Sequence, residues 1–299
     1  MAIVHEAPVF DLQAHSTRSD GTLEPAEVVA AAARAGVRLL ALTDHDTVDG
    51  VSGALTAGER LGVAVVPAIE LSALDEGHED FHILGYGLDH TDGLLAERLA
   101  AYRADRAARV ERMADALEEL GFALDREELE ARRQAGLSVG RPHLAAAALR
   151  ANSAELQRRA LWEVSAFVEA YLVPGRPAYR RRHTPTVPEA IETIHDAGGV
   201  AVWAHPFWDL GDNRTVLTTL ARFVAAGLDG VEAFYPTHTR VQTRLLASAA
   251  ALRSLLCTGS ADFHGPGHRI FSRFRAFQVY DCVPNLGPID VLAPASGRS

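Results

Sequence analysis

Along the first ninety residues, short unbroken apolar runs alternate with stretches whose apolar positions recur at helical spacing. The runs are Val9 to Leu12, Val37 to Thr43, Val63 to Leu71 and Phe81 to Leu88; the helical stretches are Glu24 to Ala35 and Asp49 to Leu61. Pro25 falls in the first turn of the first helix, Gly36 lies just past its end, and Gly62 closes the second. Proline near a helix start and glycine beyond its end is the asymmetry that helix termini select. Continuous apolar strands separated by helices predict βα units and a parallel sheet buried on both faces.

The alternation stops at Gly93. Leu94 to Leu120 reads as one long helix with Arg and Glu at helical spacings, which support each other across a turn. Shorter helices follow at Asp125 to Arg133, His143 to Arg150 and Leu161 to Ala170, with no strand among them, and Tyr171 to Thr186 is a Pro/Arg/Gly-rich return linker. Alternation then resumes: helices at Pro188 to Ala197, Thr215 to Ala226 and Thr239 to Leu252, and strands at Val200 to Ala204, Gly230 to Phe234, Leu255 to Gly259 and Ala276 to Tyr280. About seven βα units, interrupted once, fit an α/β barrel over residues 1–92 and 172–283 with an inserted helical cap domain at 93–171. The Pro/Gly/Ser-rich tail, 284–299, is expected to be loosely held.

Composition narrows the classes. The chain has 299 residues, 48% of them hydrophobic, enough for one large core or two smaller ones. A net charge of −10 argues against a general binder of duplex nucleic acid, which shows a basic face, but leaves room for a local anion pocket. All 29 basic residues are Arg. Cys257 and Cys282 are too few for a disulfide framework and read as small buried hydrophobes. No apolar run approaches a membrane span, and no signal peptide is apparent, so a cytoplasmic protein without a membrane partner is expected.

The candidate chemistry sits at the ends of the apolar runs. Asp11-Leu12-Gln13-Ala14-His15 leads into a loop ending at Asp20-Gly21; Asp44-His45-Asp46 closes the next strand; Glu70 and His82 lie in the two after that; His205 ends Val200 to Ala204; Asp262 and His264 follow Leu255 to Gly259. A barrel of parallel strands collects such positions at one rim. Asp44 and Asp46 have an ordinary reading as helix caps; His45 has none. Glu70, in Val65-Val66-Pro67-Ala68-Ile69-Glu70-Leu71, is a carboxylate in an apolar strand and needs a cation. His82 either faces solvent at a strand edge or turns inward as a ligand. Asp262 and His264, two apart, point the same way in extended backbone. Carboxylates and imidazoles without Cys suit Mn²⁺, Zn²⁺ or Fe²⁺ in a hydrolytic site, and their number exceeds what one ion needs. His5, His78, His90, His183, His195 and His268 read as surface or structural.

These motifs together resemble the PHP superfamily (polymerase and histidinol phosphatase), in its stand-alone metal-dependent phosphoesterase branch. The resemblance runs from about Phe10 to Tyr280. It rests on Asp11-Leu12-x-x-His15-Ser16-x-x-Ser19-Asp20-Gly21, Leu42-Thr43-Asp44-His45-Asp46-Thr47, Pro67-x-Ile69-Glu70, His82-Ile83-Leu84-Gly85, Gly198-Gly199-x-Ala201-x-x-Ala204-His205-Pro206 and Asp262-Phe263-His264-Gly265. It implies a distorted seven-stranded (β/α) barrel holding two or three divalent ions. By position, His15, Glu70 and Asp262 would hold the first; Glu70, His82 and His205 the second; Asp20, His45 and His264 the third. The family has His-x-His at the first motif, whereas this chain has Gln13. Either Gln13 ligates through its oxygen, or the first ion binds less tightly or is missing.

The resemblance further implies hydrolysis of a phosphate ester by a hydroxide bridging the ions, with Asp262 and His264 as catalytic groups. Gly140-Arg141-Pro142-His143 resembles the family's phosphate-contacting segment, so Arg141 would hold a phosphate and His143 another polar group. Glu232, Tyr235 and His238 follow a strand and are expected on the substrate side. The expected substrate is a nucleotide, either a 3′,5′-bisphosphate nucleoside or the 5′ end of a short oligonucleotide. Histidinol phosphate is the alternative. An amidohydrolase would normally carry a metal-bridging carboxylated Lys, which this chain lacks, although a Glu could substitute. A non-catalytic, metal-stabilised binding module is the reading from a different class.

Overall fold

The structure, a computed structural model, describes residues 8–76, 78–134, 139–159, 161–181 and 185–291. Seven strands form one sheet in chain order: β1 (Phe10–Asp11), β2 (Leu39–Leu42), β3 (Ala64–Asp75), β4 (His78–Tyr86), β5 (Val200–Trp203), β6 (Gly230–Phe234) and β7 (Leu256–Gly259). Bonds beyond the named strands bring the sheet round on itself. Leu12 N donates to Gly259 O, Phe263 N to Gln13 O and His15 N to Phe263 O. The expected α/β barrel is therefore present, nearly closed between its first and last strands.

The helices are α1 (Pro25–Arg34), α2 (Val51–Leu61), α3 (Gly93–Glu119), α4 (Arg126–Gln134), α5 (Arg141–Ala151), α6 (Ser153–Arg158), α7 (Val164–Tyr171), α8 (Val187–Asp196), α9 (Pro206–Asp209), α10 (Asn213–Ala225), α11 (Arg240–Ala251) and α12 (Pro288–Val291). Starts are chemically marked. Thr186 and Thr239 accept from the third residue on, Glu189 N and Gln242 N, while those side chains accept in return from the cap backbone, a reciprocal capping box. The chain separates into two compact units, residues 1–98 with 185–299, and residues 99–184. The second unit has its own apolar core, in which Met113, Leu117, Leu144, Leu156, Phe167 and Leu172 are fully buried. No helix among the described residues is long and apolar enough to cross a membrane.

In the barrel unit Leu40, Leu42, Val66, Ile69, Leu71, Leu84, Val202, Val231 and Phe234 are buried, each burial contributing about 1.5–3 kcal/mol. Phe81, Trp203 and Phe223 meet edge to face at 5.0–5.8 Å. Cys257 is buried, and both cysteines are free.

Three expectations change. The sheet is not wholly parallel, because β4 runs antiparallel to both β3 and β5. β3 ends at Asp75 and β4 starts at His78, too few residues for the dozen or more that a parallel crossover needs. Ala276 to Tyr280 is not a strand. Arg275 and Tyr280 have positive φ, and the Arg275 backbone N–H donates to the Asp11 carboxylate while its guanidinium donates to Pro8 O and Ala35 O. The tail is tied down as far as 291: Asn285 pairs with Cys257, and Ile289 is fully buried. Residues 292–299 lie outside the described residues, as do His5 and His183.

Gly259 sets the closest approach within the barrel wall. A Cβ there would meet Phe234 Cβ at 2.4 Å and Phe234 O at 2.7 Å. Gly259→Ala is expected to destabilise the protein by about 1–3 kcal/mol, the usual cost of overpacking. That would appear as a lower urea midpoint with an unchanged slope. An unchanged midpoint would mean that β6 and β7 can separate freely.

Candidate metal centre

Each candidate ligand stands where its strand delivers it. His15 and His45 come just after β1 and β2. Glu70 lies inside β3, and His45 bridges to it, with Asp46 N donating to Glu70 O. The reversed direction of β4 matters here. Its residue His82 pairs with Ser72, near the same end of β3, and Ala204 N donates to His82 O. His82 therefore reaches the rim at which the parallel strands end. His205 follows β5, and Asp262 and His264 follow β7.

The first loop is folded back onto this rim by Asp44. Its carboxylate accepts from Ser16 N, Ser16 Oγ and Ser19 Oγ, each at 2.7 Å. Gly21 permits the tight return, because a Cβ there would lie 2.2 Å from His15 O. The helix-cap reading of Asp44 and Asp46 fails: Asp44 holds the loop, Asp46 accepts from Ser72 N, and α2 has Gly50 at its cap.

The result is a compact cluster around one buried carboxylate. Glu70 Oε1 lies 2.8 Å from His82 Nδ1 and 3.3 Å from His205 Nε2; Glu70 Oε2 lies 3.1 Å from His15 Nε2 and 3.5 Å from His45 Nδ1. His15 Nε2 is also 3.1 Å from Asp262 Oδ1. Asp20 Oδ1 approaches His15 Nδ1 at 3.6 Å and His264 Nε2 at 3.5 Å, and its Oδ2 approaches His45 Nε2 at 3.7 Å. The donor atoms of three sets lie within 4.8 Å of one another: His15, Asp20, His45 and His264; His45, Glu70 and His82; His15, Glu70 and Asp262. The third set has the membership expected for the first ion. His15 joins the Asp20, His45 and His264 group. His205 remains beside Glu70 and His82, its Nε2 3.3 Å from His82 Nδ1.

Orphaned buried atoms test whether cations fit. His15 Nε2, His45 Nδ1, Glu70 Oε2 and Asp262 Oδ1 are buried and make no hydrogen bond, although they face one another at 3.1–3.5 Å. Buried polar atoms are normally paired. Four orphans in one place, all imidazole nitrogens or carboxylate oxygens, match the donor set of a divalent hydrolytic ion. The residues fit.

Burial is the largest influence on Glu70, His15, His45 and His205. It raises Glu70, but the surrounding histidines, His45 and His82 first, prevail and hold it well below the usual carboxylate range. Burial and neighbouring imidazoles take His45 down to about 4, against the pull of Glu70 and Asp20. His15 and His205 are raised despite burial, by Asp262 and Glu70 in the first case and by Glu70 in the second, where the value is about 9.

Supporting contacts fix the donors. Tyr235 Oη donates to Asp262 Oδ2 at 2.7 Å. His264 Nδ1 must carry a proton, since it donates to the Asp262 backbone carbonyl at 2.7 Å, so Nε2 is the atom turned to Asp20. Asp46, His205 and Asp262 have positive φ, and such backbone strain gathers at functional sites.

Glu232 does not face a substrate. It is fully buried, its Oε2 accepts from His205 N at 2.9 Å, and its Oε1 accepts from Ser260 Oγ at 2.5 Å; burial pushes it up to about 8. Gln13 is likewise buried. Ser260 Oγ contacts Gln13 Oε1 at 3.3 Å, and Gln13 Nε2 is the buried atom left without a partner.

His238 is buried. Its Nδ1 donates to Ala233 O at 3.1 Å, leaving Nε2 unpartnered. Burial lowers its pKa to about 4, so Nε2 is an acceptor, suited to a substrate hydroxyl rather than a phosphate oxygen. In the helical unit, Arg141 opens α5, and His143 Nδ1 accepts from Gly140 N at 3.1 Å, a helix-start role. Among the remaining histidines, His195 pairs with Asp229 at 2.7 Å, His90 meets Ser52 at 3.0 Å, His268 stacks on Phe271 and His78 lies against Phe81. Sequence reasoning missed the bond from Tyr235 to Asp262 and the Gln13–Ser260–Glu232 chain; both join residues far apart in sequence.

Comparison with known proteins gives a consistent result. The family described as PHP domain matches residues 11–172. A "5'-3' exoribonuclease" of Haemophilus influenzae is 34% identical over 86% of this chain and 90% of its own length. A "3',5'-nucleoside bisphosphate phosphatase" of Chromobacterium violaceum is 33% identical over 86% of this chain and 88% of its own. A solved structure described as an amidohydrolase from Chromobacterium violaceum, with sulfate bound and no metal, superposes with a TM-score of 0.76 at 29% identity, over 96% of this chain and 99% of that one.

A histidine ligates a metal only in its neutral form, so ion uptake must displace protons from His15 and His205. Divalent-ion affinity of chelator-treated protein is expected to rise with pH up to about 9, by up to about tenfold per unit for each proton displaced. Mn²⁺ titrations by calorimetry across that range check this; an affinity indifferent to pH would contradict the charge arrangement described.

Proposed function

The chain belongs to the PHP domain family, and from that premise we propose that this metal-dependent phosphoesterase acts on a nucleotide, either a 3′,5′-bisphosphate nucleoside or the 5′ end of a short RNA. The convergence of four orphaned donor atoms around Glu70 carries the reading. The names of the exoribonuclease and bisphosphate phosphatase relatives support the substrate class.

Two or three ions of Mn²⁺, Zn²⁺ or Fe²⁺ would be held by His15, Asp20, His45, Glu70, His82, His205, Asp262 and His264, with Gln13 as a neutral further donor. Bound there, they would lower the pKa of water and neutralise charge on phosphoryl oxygens. The protein's own part is positional and acid–base. Asp262, oriented by Tyr235, is placed to take a proton from the attacking water or return one to the leaving oxygen. His264, oriented by the Asp262 carbonyl, supports it. His238 Nε2 would accept from a sugar hydroxyl. Arg141 and His143 are proposed to contact a phosphate and a second polar group, on the strength of the Gly140-Arg141-Pro142-His143 motif. Glu232 and Ser260 position Gln13 and His205.

Histidinol phosphate hydrolysis remains the alternative within this chemistry. The amidohydrolase named for the Chromobacterium violaceum structure suggests another, although no Lys is present here to form a carboxylated bridge.

The direct test is phosphate release from 3′,5′-bisphosphate nucleosides, mononucleotides, 5′-phosphorylated short RNA and histidinol phosphate, with an amide substrate as control, before and after chelation. Metal-dependent turnover greatest on a nucleotide is expected. No release from any phosphate ester with any of the three metals would overturn the reading. Asp262→Asn should lower kcat by about 10²–10⁴-fold, the span of a lost general acid–base group, and Tyr235→Phe by about 10–100-fold, as for a lost orienting partner. Gln13→His should raise Mn²⁺ affinity measured by calorimetry; an unchanged or weaker affinity would show that Gln13 does not face the ions.

A further inference from the structure

The rim beside the cluster carries an aromatic wall whose outermost member, Trp208, the reaction itself does not use. Trp208 lies in α9, three residues after His205, and is 51% exposed. Its indole is nonetheless held from two sides. The Tyr235 ring lies 6.4 Å away at 75°, and the Phe271 ring 5.6 Å away at 56°. Tyr235 and Phe271 are buried and lie 5.7 Å from each other. Both lead straight into the cluster, since Tyr235 Oη donates to Asp262 and Phe271 lies 5.7 Å from the His264 ring. The exposed indole thus stands one aromatic side chain away from two residues of the centre. Trp162 is also exposed, at 61%, but belongs to the helical unit, and Trp203 is fully buried.

We propose that Trp208 is a stacking platform for the base of the nucleotide whose phosphate is hydrolysed at the cluster. The proposal rests on the nucleotide reading above. A base is joined to its phosphate through one ribose, a spacing that suits a platform one side chain from the reacting phosphate. Tyr235 and Phe271 limit the indole's movement, so little freedom is lost when a base docks. Stacking recognises the flat face that every base shares and not its hydrogen-bonding edge. All four bases should therefore be accepted, while a phosphate ester lacking a base should be handled poorly.

Two measurements test this. The first is the ratio of kcat/KM for AMP to that for ribose 5-phosphate, in wild type, Trp208→Ala and Trp208→Phe. The ratio is expected to fall roughly 10- to 100-fold in Trp208→Ala, the range seen when a stacking aromatic is removed, and to be largely kept in Trp208→Phe. The second is quenching by adenosine of the tryptophan emission of Trp162→Phe protein, expected to be saturable and to vanish in Trp162→Phe/Trp208→Phe. An unchanged ratio in folded Trp208→Ala, or no quenching by adenosine, overturns the proposal. If wild type hydrolyses neither ester, quenching by adenosine, which needs no hydrolysis, decides whether the platform exists; the nucleotide reading fails separately, if 3′,5′-bisphosphate nucleosides and 5′-phosphorylated short RNA are not hydrolysed either.

Discussion

Glu70 is a carboxylate with no exposed surface, placed in a strand of Val, Ala, Ile and Leu. An isolated charge there would cost far more than the packing around it returns. It persists because four imidazoles reach it within 3.5 Å: His15, His45, His82 and His205, each from the end or interior of a different strand. Removing one partner from such a buried arrangement typically costs several kcal/mol, so the barrel and the centre are mutually dependent. The strands bring the imidazoles together, and the carboxylate makes their convergence tolerable. Cations complete the balance, since protons on His15 and His205 occupy nitrogens that would otherwise be donors.

The wall of the barrel is adapted to this task at specific points. β4 runs against its neighbours, which turns His82 towards the rim and lets a short connection replace a crossover helix. Asp44 ties down the loop that carries Asp20, and Gly21 lets that loop close. His205 and Asp262 adopt positive φ, so their side chains leave the strand direction and enter the cluster. Around these donors Tyr235, Ser260 and Glu232 restrict rotation. The aromatic wall of Tyr235, Phe271 and Trp208 then continues from the donors to solvent.

Much of this was legible in the linear order of residues. Apolar runs of five to nine residues located β2, β3, β5, β6 and β7 to within a few residues, and the ionisable groups at or near their ends named the cluster. The signal was strong because a His or Glu closing a buried strand has few ordinary explanations. Local chemistry was less informative where partners are distant. Glu232 looked like a substrate contact because it lies near the end of a strand; only the three-dimensional arrangement shows it bonded to His205 N and Ser260 and fully enclosed. Asp44 and Asp46 resembled helix caps because capping acids occupy similar positions, but their partners are Ser16, Ser19 and Ser72. Ala276 to Tyr280 has strand composition, yet Arg275 is committed to Asp11, Pro8 and Ala35. The antiparallel course of β4 was implicit in the short, polar Asp75 to His78 connection, which a reading based on apolar runs passes over.

A buried carboxylate ringed by imidazoles is suited above all to holding divalent ions. Elemental analysis of the folded protein after Mn²⁺ loading and desalting, beside Glu70→Gln treated identically, tests it most directly. More than one equivalent of metal is expected in the wild type, with a clear loss in the variant. Folded wild type that retains less than one equivalent, or a Glu70→Gln protein that retains as much as the wild type, would contradict it.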